Sequence, residues 1–493
     1  MKFFHRVTSR RRTSHQHKGS RYIVPPQGPA HKAQTPRASH QITTKSRDSS
    51  RALVFSLLTI AVFCTASDPS FAITKPHKTA IKRTKKPVVA DAKKAKADAD
   101  SSPDSDVSSN AENAEIEEDG TKVSSVSSEY NLSNFPTTLA KQAILLDFNS
   151  GQILFAKKAD EPTSPSSMTK IVTACLVFSR MRFGGLTLDT EFNVSPKAFR
   201  KEGSSMFLKL GQRVSVEQLL FGLIIQSGND AAVTLAEGIC GTEEDFAVEM
   251  TSYARSIGAT NTNFKNASGL PDAQHKTTVR DLATIACHAI TTYPEFYEWY
   301  SRKEFTFNDI RQFSKNALLS ENIGCDGIKT GKTDDGGYGI VASVKNGERR
   351  LILVVNGYKS EKDRKEDAMA LLSWGLKTFT NRRLYKANEV IAQIPVWYGA
   401  ESYLPITVEE ELVITLPRFA EKDFKVLVYY DTPISAPIKK GERVGQVHIT
   451  SSSLKMPIVV PLVASVSIRE AGFFKKVYDS LLYLIWGMRA PEL

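Results

Sequence analysis

The sequence predicts a protein of the mixed α/β class, in which helices and antiparallel strands are segregated (α+β), followed by a small all-β domain. Apolar strand patterns occur near both ends of residues 131–385, at 141–155 and 339–355, with helical patterns between them. These strands are therefore expected to meet in one antiparallel sheet with flanking helices and a helical subdomain. From about residue 389, short strands separated by Pro and Gly at roughly ten-residue spacing indicate a β-sandwich over 386–468.

Residues 1–72 combine a basic tail with a short apolar segment. The first 50 residues hold eleven Lys and Arg and one Asp, so the formal net charge of +12 leaves only +2 for the remaining chain. A basic surface on the folded part is not indicated, and no nucleic-acid partner is expected. The apolar run 52–66 is shorter than the ~20 residues that span a bilayer. With the small residues Ser70 and Ala72 it describes a secretory signal or an uncleaved anchor, and both place the rest of the chain outside the cytoplasm.

Residues 73–130 are predicted to be a disordered charged linker. Nine Lys and Arg accompany one Asp between Lys75 and Lys96, and nine Asp and Glu occur between Asp98 and Asp119 without a basic residue. Large apolar side chains are scarce in both blocks, so the segment cannot bury a core of its own.

The five cysteines carry no metal-binding or redox motif. They occur at positions 64, 175, 240, 287 and 325, without a CxxC pair or a Cys/His spacing suited to a metal. Most fall in apolar helical contexts, which favours free buried thiols, although export would permit a disulfide. We therefore expect neither a metal site nor a cofactor.

The elements of the first domain follow from hydrophobic periodicity and turn signals. An Asn/Gly turn at 149–151 joins the two strands within 141–155, and residues 345–348 join the strands 339–344 and 350–355. Apolar residues at helical spacing predict helices over 171–178, 216–225, 231–239, 277–290 and 369–379.

The last residues, 469–493, predict an amphipathic helix. Aromatic and aliphatic residues recur at helical spacing, and Lys475, Lys476, Asp479 and Ser480 occupy the other side. Such a pattern is typical of a helix that lies in a membrane interface, and docking on its own domain is the alternative. We favour membrane attachment.

A serine and a lysine open the helix that contains the apolar run Ile171 to Phe178. Ser167 and Lys170 are three positions apart, which places both side chains on one helix face within about 6 Å. A lysine that enters a buried helix loses hydration, its pKa falls, and the neutral amine can take the serine proton. The spacing alone is weak evidence for a catalytic pair, because Ser452 and Lys455 repeat it in a strand-like region.

Two further motifs strengthen this interpretation. Ser227 and Asn229 (SxN) lie between two predicted helices, where a loop can present a hydroxyl and an amide to a cleft. Lys329, Thr330 and Gly331 (KTG) form a strand whose glycine lets a substrate backbone approach closely and whose Lys and Thr can hold a carboxylate. Each motif is short, but three of them in this order, about 60 and 100 residues apart, do not arise readily by chance.

With these motifs the sequence resembles the serine penicillin-binding proteins, specifically the low-molecular-mass D-alanyl-D-alanine carboxypeptidases of the penicillin-binding protein 5 and 6 type (serine peptidase family S11). The resemblance runs from about residue 130 to 490 and includes the strings QSGNDAA, NASGLPD, DGIKTG, PVWYG and APIKKGERVG. It implies a penicillin-binding/β-lactamase-like fold, a peptidoglycan stem peptide as substrate and β-lactam antibiotics as covalent inhibitors. It further implies a periplasmic enzyme that its C-terminal helix attaches to the outer face of the inner membrane.

The resemblance also implies catalytic roles. Ser167 would attack the carbonyl between the two terminal D-alanines, with Lys170 as its general base. Ser227 and Lys329 would relay a proton to the departing D-alanine amine. Water would then hydrolyse the acyl-enzyme.

The remaining candidates would bind the substrate. Asn229 would hold the peptide carbonyl, and Thr330, helped by Arg364, would bind the terminal carboxylate. The backbone N–H groups of Ser167 and Lys332 would form an oxyanion hole, a contribution typically worth about 3 kcal/mol. The family often has a histidine where Lys332 stands, but the backbone role does not need that side chain.

Two alternatives come from other functional classes. A class A β-lactamase shares the SxxK, S-D-N and KTG motifs, but here Asn229 follows Gly, the β-domain and terminal helix are additional, and no convincing deacylating Glu lies between the motifs. An exported scaffold or surface-binding module without activity is the second alternative, and the complete Ser/Lys/Ser/Asn/Lys set argues against it.

Overall fold

The computed structural model describes residues 81–83, 126–430 and 434–486. The predicted tail and signal (1–72) and most of the predicted linker lie outside the described residues. Within the described part, a domain of helices and sheet is followed by a β-domain and a C-terminal helix.

The first domain is built on one antiparallel six-stranded sheet. The strands from its two ends pair as predicted, with Leu145 opposite Leu353. The predicted α+β class is confirmed. In spatial order the strands are Val126–Ser127, Ile153–Lys157, Gln142–Asp147, Arg349–Tyr358, Gly337–Asn346 and Cys325–Thr333.

Helices cover both faces of this sheet, so its central strands read as unbroken apolar runs. Ile352 and Val354 face the core of the helical subdomain, whereas Leu351 and Leu353 face the opposite core beneath the last helix, Glu361–Thr378. The helices that precede it are Lys170–Arg182, Pro196–Phe199, Val216–Phe221, Asn229–Cys240, Glu243–Ser256, Val279–Thr292 and Pro294–Tyr297.

The predicted helix 369–379 begins too late. The helix is Glu361–Thr378, and Ser360 caps it by accepting a hydrogen bond from the N–H of Asp363 at 3.0 Å. Its first turns are almost entirely charged, so hydrophobic periodicity did not reveal them. Arg364 therefore lies within a helix.

The second domain is all-β, as predicted. Its seven-stranded sheet includes Ile81–Arg83, which runs parallel to Lys425–Tyr430. A separate pair joins Phe379–Tyr385 to Leu412–Pro417, so this domain begins at 379 instead of the predicted 386. The other strands are Val390–Trp397, Tyr403–Thr407, Ile434–Ser435, Arg443–Thr450 and Ile458–Ala464.

The predicted linker 73–130 also ends too late. Val126–Ser127 adds a strand to the edge of the central sheet. Tyr130 is fully buried, and its hydroxyl donates to the carbonyl of Thr415 at 2.9 Å. Two strand residues and one aromatic side chain are too short a pattern to stand out beside a charged segment.

A buried polar network fixes the β-domain against the central sheet. Asp147 accepts hydrogen bonds from Arg349 Nε at 2.7 Å and from Asn381 Nδ2 at 3.0 Å. Beside it, the hydroxyls of Ser150 and Thr415 lie 2.6 Å apart. The buried carboxylate of Asp147 is thus paired, and its partners come from both domains.

The four described cysteines are free thiols: Cys175, Cys240, Cys287 and Cys325. Burial raises the pKa of Cys287 to about 12, so this thiol stays protonated. Cys64 lies outside the described residues.

Candidate active site

Ser167 lies in a tight helical turn that precedes a helix buried over most of its length. The turn Ser166–Thr169 leads directly into Lys170–Arg182, whose residues up to Phe178 are all buried. The hydroxyl of Ser166 lies 3.0 Å from that of Thr333, which ties the turn to the edge strand of the sheet. Ser167 itself is partly accessible, as a nucleophile must be.

Lys170 is the centre of the site. Its side chain is 1% exposed, and Nζ lies 2.9 Å from Ser167 Oγ, 2.7 Å from Asn229 Oδ1 and 2.5 Å from the carbonyl oxygen of Ser268. Burial, followed by the charge of Lys329, holds the pKa of Lys170 well below its usual range. The amine is therefore neutral more readily than a surface lysine.

The two acceptors beside Lys170 limit where the lone pair of the neutral amine can point. The carbonyl of Ser268 can only accept, and Asn229 Nδ2 donates to the carbonyl of Glu202 at 2.6 Å, which makes Oδ1 the acceptor facing Lys170. A neutral amine has two hydrogens and one lone pair. If both hydrogens go to these acceptors, the lone pair faces the hydroxyl of Ser167.

Ser227 and Asn229 lie at a junction between two helices. Ser227 adopts a left-handed conformation (φ 67°) at the end of the turn Gly222–Gln226, and Asn229 begins the next helix. Asp230 anchors the facing loop, accepting from the Ser205 hydroxyl at 2.6 Å and from the N–H of Met206 at 3.0 Å.

Lys329 is a second buried amine in the site. It lies on the strand Cys325–Thr333, and burial, together with the charges of Arg364 and Lys315, lowers the pKa of Lys329 to about 7. Lys170 and Lys329 are close enough that the charge of Lys329 lowers the pKa of Lys170. The state in which both lysines are protonated is disfavoured, because their two positive charges repel each other.

Gly331 is explained by packing. A Cβ atom at this position would lie 2.8 Å from the Cβ of Ser166 and 3.2 Å from the carbonyl oxygen of Pro165. The strand can approach the serine turn only without a side chain here. This packing gives a reason for glycine at position 331 in addition to the predicted close approach of a substrate backbone, which stays a prediction.

A cationic corner surrounds Tyr338. Lys332 Nζ lies 5.1 Å and Arg364 Cζ 5.9 Å from the centre of the tyrosine ring. Arg364 is buried and donates to Glu361 Oε1 at 2.5 Å, whereas Lys332 is exposed. The positive charge of Arg364 also contributes to the lowered pKa of Lys329.

Comparison with known proteins gives the same assignment. Residues 129–360 match the family model described as D-alanyl-D-alanine carboxypeptidase, Peptidase S11, and residues 379–470 match the C-terminal domain of penicillin-binding protein 5. The chain is 37% identical over 357 residues to D-alanyl-D-alanine carboxypeptidase DacC of Escherichia coli, covering 70% of this chain and 88% of DacC. The chain belongs to the S11 family of D-alanyl-D-alanine carboxypeptidases. The predicted family and enzyme class are confirmed.

Solved structures agree with this S11 membership. Penicillin binding protein 5 from Haemophilus influenzae is 34% identical, with a TM-score of 0.66 over 68% of this chain and 99% of that one. Penicillin binding protein 6B from Escherichia coli is 32% identical, with a TM-score of 0.56 over 67% and 97%. The predicted penicillin-binding-protein fold with a terminal β-domain is confirmed.

Residues outside the three motifs complete the site of this S11 chain, and sequence reasoning assigned them no role. Ser268 supplies a backbone carbonyl to Lys170, and Asp230 holds the loop opposite. His275 lies beneath the serine turn, with Nε2 2.9 Å from the hydroxyl of Thr169. The string NASGLPD, which contains Ser268, was the available signal, but a backbone contact leaves no side-chain pattern.

Proposed function

We propose that the chain is a serine-type D-alanyl-D-alanine carboxypeptidase that removes the terminal D-alanine from peptidoglycan pentapeptide stems through an acyl-enzyme on Ser167. The observation that carries this assignment is the amine of Lys170, buried, low in pKa and in contact with the serine hydroxyl. The S11 relatives are named for this activity. The enzyme would act in cell-wall remodelling.

Acylation uses the two buried amines in opposite protonation states. Ser167 Oγ attacks the carbonyl carbon between the D-alanines while its proton passes to neutral Lys170. The oxyanion accepts from the backbone N–H groups of Ser167 and Lys332. The C–N bond then breaks, and the D-alanine amine takes a proton delivered through Lys329 and Ser227. Water hydrolyses the resulting ester and frees Ser167.

Substrate binding falls to the cationic corner and to Asn229. Thr330 and Arg364 bind the terminal carboxylate. The Thr330 hydroxyl can donate a hydrogen bond to it, and the buried Arg364 cation can form a stronger, charge-assisted one. Asn229 donates one amide hydrogen to the carbonyl of Glu202. The other remains for a carbonyl of the stem peptide, so Asn229 both holds Lys170 and contacts substrate.

β-Lactam antibiotics would acylate the same serine. The similar Haemophilus influenzae protein carries the name penicillin binding protein 5. A β-lactam offers Ser167 a strained amide, and its carboxylate would bind to Thr330 and Arg364 in place of the carboxylate of the substrate.

The direct test uses the chain without residues 1–72. We expect it to release D-alanine from a diacyl-L-Lys-D-Ala-D-Ala peptide and to gain the mass of one penicillin, lost slowly, on Ser167. Rapid penicillin turnover without D-alanine would instead indicate a β-lactamase. If neither D-alanine nor a penicillin adduct forms, a binding or structural role is indicated.

The pH profile tests Lys329 and Arg364. Because donation to the leaving amine needs protonated Lys329, kcat/KM should fall above about pH 7. The Arg364 cation lowers the pKa of Lys329, so Arg364→Ala should raise that pKa and move the alkaline limb to higher pH. The variant should also lose about tenfold in kcat/KM through the missing carboxylate contact.

The control for this profile lies on the same helix. Lys362 is largely exposed and faces Glu366, so Lys362→Ala should leave both the limb and kcat/KM unchanged. An alkaline limb that stays in place in Arg364→Ala would reject Lys329 as the titrating group.

We propose a periplasmic location, with the helix Phe473–Trp486 attached to the outer face of the inner membrane. Phe473, Phe474 and Leu484 are 75%, 87% and 79% exposed. The polar side docks on the β-domain, where the N–H of Tyr398 donates to Asp479 at 3.0 Å. The apolar side chains thus face outward, as in a helix that lies in a membrane interface. Among the described helices, none has the length and apolarity to cross a bilayer.

The membrane prediction can be measured with vesicles of mixed anionic and zwitterionic lipid. In the chain without residues 1–72, Phe474→Ser should lower vesicle binding about tenfold, because one fewer large apolar side chain is buried. Deleting residues 470–493 should abolish binding. Phe419→Ser removes another largely exposed phenylalanine, from the β-domain, and should leave vesicle binding unchanged. Undiminished binding after the deletion would contradict the anchor.

A further inference from the structure

His275 is a buried histidine directly beneath the catalytic turn. Its side chain is 1% exposed, and its ring packs against Phe264 with centroids 5.4 Å apart. Nε2 lies 2.9 Å from Thr169 Oγ1, and Nδ1 lies 3.0 Å from the backbone nitrogen of Lys265. Thr169 is the residue between the catalytic turn's methionine and Lys170, so the imidazole touches the backbone segment that carries both catalytic groups.

The two contacts permit one protonation state. The N–H of Lys265 is a donor, so Nδ1 must present its lone pair. A neutral imidazole then carries its proton on Nε2 and donates it to the hydroxyl of Thr169. Burial lowers the pKa of His275 to about 4, with Asp272 and Glu243 opposing this change and Lys170 and Lys276 adding to it.

His275 joins the two ends of the loop 265–275 through its contact with Lys265. The same loop contains Ser268, whose carbonyl contacts Lys170. Asn266 Oδ1 accepts from the backbone N–H groups of residues 268, 269 and 270, which curls the loop. Gly269 has φ +84°, and a Cβ there would lie 1.8 Å from the carbonyl oxygen of Ser166. The loop therefore presses on the serine turn, and Ser268 presents its carbonyl to Lys170 at 2.5 Å.

We propose that His275 is a positioning residue for acylation: by joining Lys265 to Thr169, it keeps the loop against the serine turn and the carbonyl of Ser268 on the amine of Lys170. Without this carbonyl, one hydrogen of the amine loses its acceptor and the lone pair is no longer directed at Ser167. Proton transfer slows, while the carboxylate-binding corner is untouched. The inference rests on the proposed function of Ser167 and Lys170.

The test separates acylation from binding. With the chain from residue 73 onward and a fluorescent penicillin, the concentration dependence of adduct formation gives an acylation rate constant and a dissociation constant. We expect His275→Phe to lower the rate constant at least tenfold and to change the dissociation constant less than twofold. His275→Gln, whose amide N–H can still donate to Thr169, should recover most of the rate.

Two controls distinguish positioning from general stability. His288 is another partly buried histidine with two side-chain partners, Tyr253 and Thr292, and His288→Phe should leave the rate constant unchanged even if it lowers the melting temperature. Thr169→Val removes the partner of His275 and should slow acylation similarly. In the double variant of Thr169 and His275 the two losses should not multiply. If His275→Phe does not fold, Thr169→Val decides the matter through the same two measurements, the acylation rate constant and the dissociation constant.

Three results would overturn the inference. These are an acylation rate constant within twofold of wild type in a folded His275→Phe, a loss confined to the dissociation constant, and losses that multiply in the double variant. Absence of any adduct on the wild-type chain would overturn the proposed function and this inference together. A normal wild-type adduct with an unaffected His275 variant overturns the inference alone.

Discussion

Ser167→Ala should abolish the covalent penicillin adduct and lower D-alanine release by on the order of 10³-fold or more, because losing a nucleophile removes the acyl-enzyme route entirely. Substrate binding should survive, since Thr330 and Arg364 are untouched. The fold should survive as well, because among the described residues the Ser167 hydroxyl is hydrogen-bonded only to Lys170. Intact mass after penicillin and D-alanine release report the two effects.

The chain contains its own control for this experiment. Ser452 and Lys455 repeat the SxxK spacing, but the Ser452 hydroxyl bonds to Asp423 in the β-domain. The backbone N–H of Lys455 donates to the carbonyl of Glu129. Ser452→Ala should therefore be labelled by penicillin to the same extent as the wild-type protein. A penicillin adduct of full stoichiometry on Ser167→Ala would contradict the assignment of Ser167 as the nucleophile.

The candidate catalytic side chains could be singled out from sequence because the proposed chemistry requires particular residue types at short spacing. Ser167 and Lys170 are one helical turn apart, and the structure places their polar atoms 2.9 Å apart. Asn229 is 59 positions away from Lys170, yet its amide reaches the same amine. The order of the motifs indicated the family, and the family supplied their convergence, which spacing alone could not.

The supporting contacts could not be predicted, for physical reasons that differ from case to case. Ser268 acts through a backbone carbonyl, so its side chain carries no signal. Gly331 was predicted to let a substrate approach, and its packing against Ser166 could not be predicted because that neighbour is 165 positions away in sequence and adjacent only in the fold. The edge strand Val126–Ser127 and the charged start of the helix Glu361–Thr378 lacked a periodic apolar pattern.

Lys170→Met should lower the acylation rate by about 10²- to 10⁴-fold, because it removes the general base from a buried site without opening a cavity. Arg364 and Thr330 keep the carboxylate contact, so the dissociation constant for penicillin should change little. Adduct formation followed over time at several penicillin concentrations gives both values. Lys362→Met, on an exposed helix face, serves as the control.

The same variant makes a prediction about stability whose sign follows from the lowered pKa. In the folded protein the pKa of Lys170 lies well below the 10.5 of an unfolded lysine, so the unfolded chain binds more protons between these values. Wild-type stability should therefore rise with pH from neutrality toward 10.5. Lys170→Met removes this contribution, while Lys329, with its pKa near 7, continues to supply one. Urea unfolding at pH 7 and pH 9 should thus show a smaller gain for Lys170→Met than for wild type. An equal gain in both would mean that Lys170 is fully charged in the folded enzyme, and the general base would then have to be sought elsewhere.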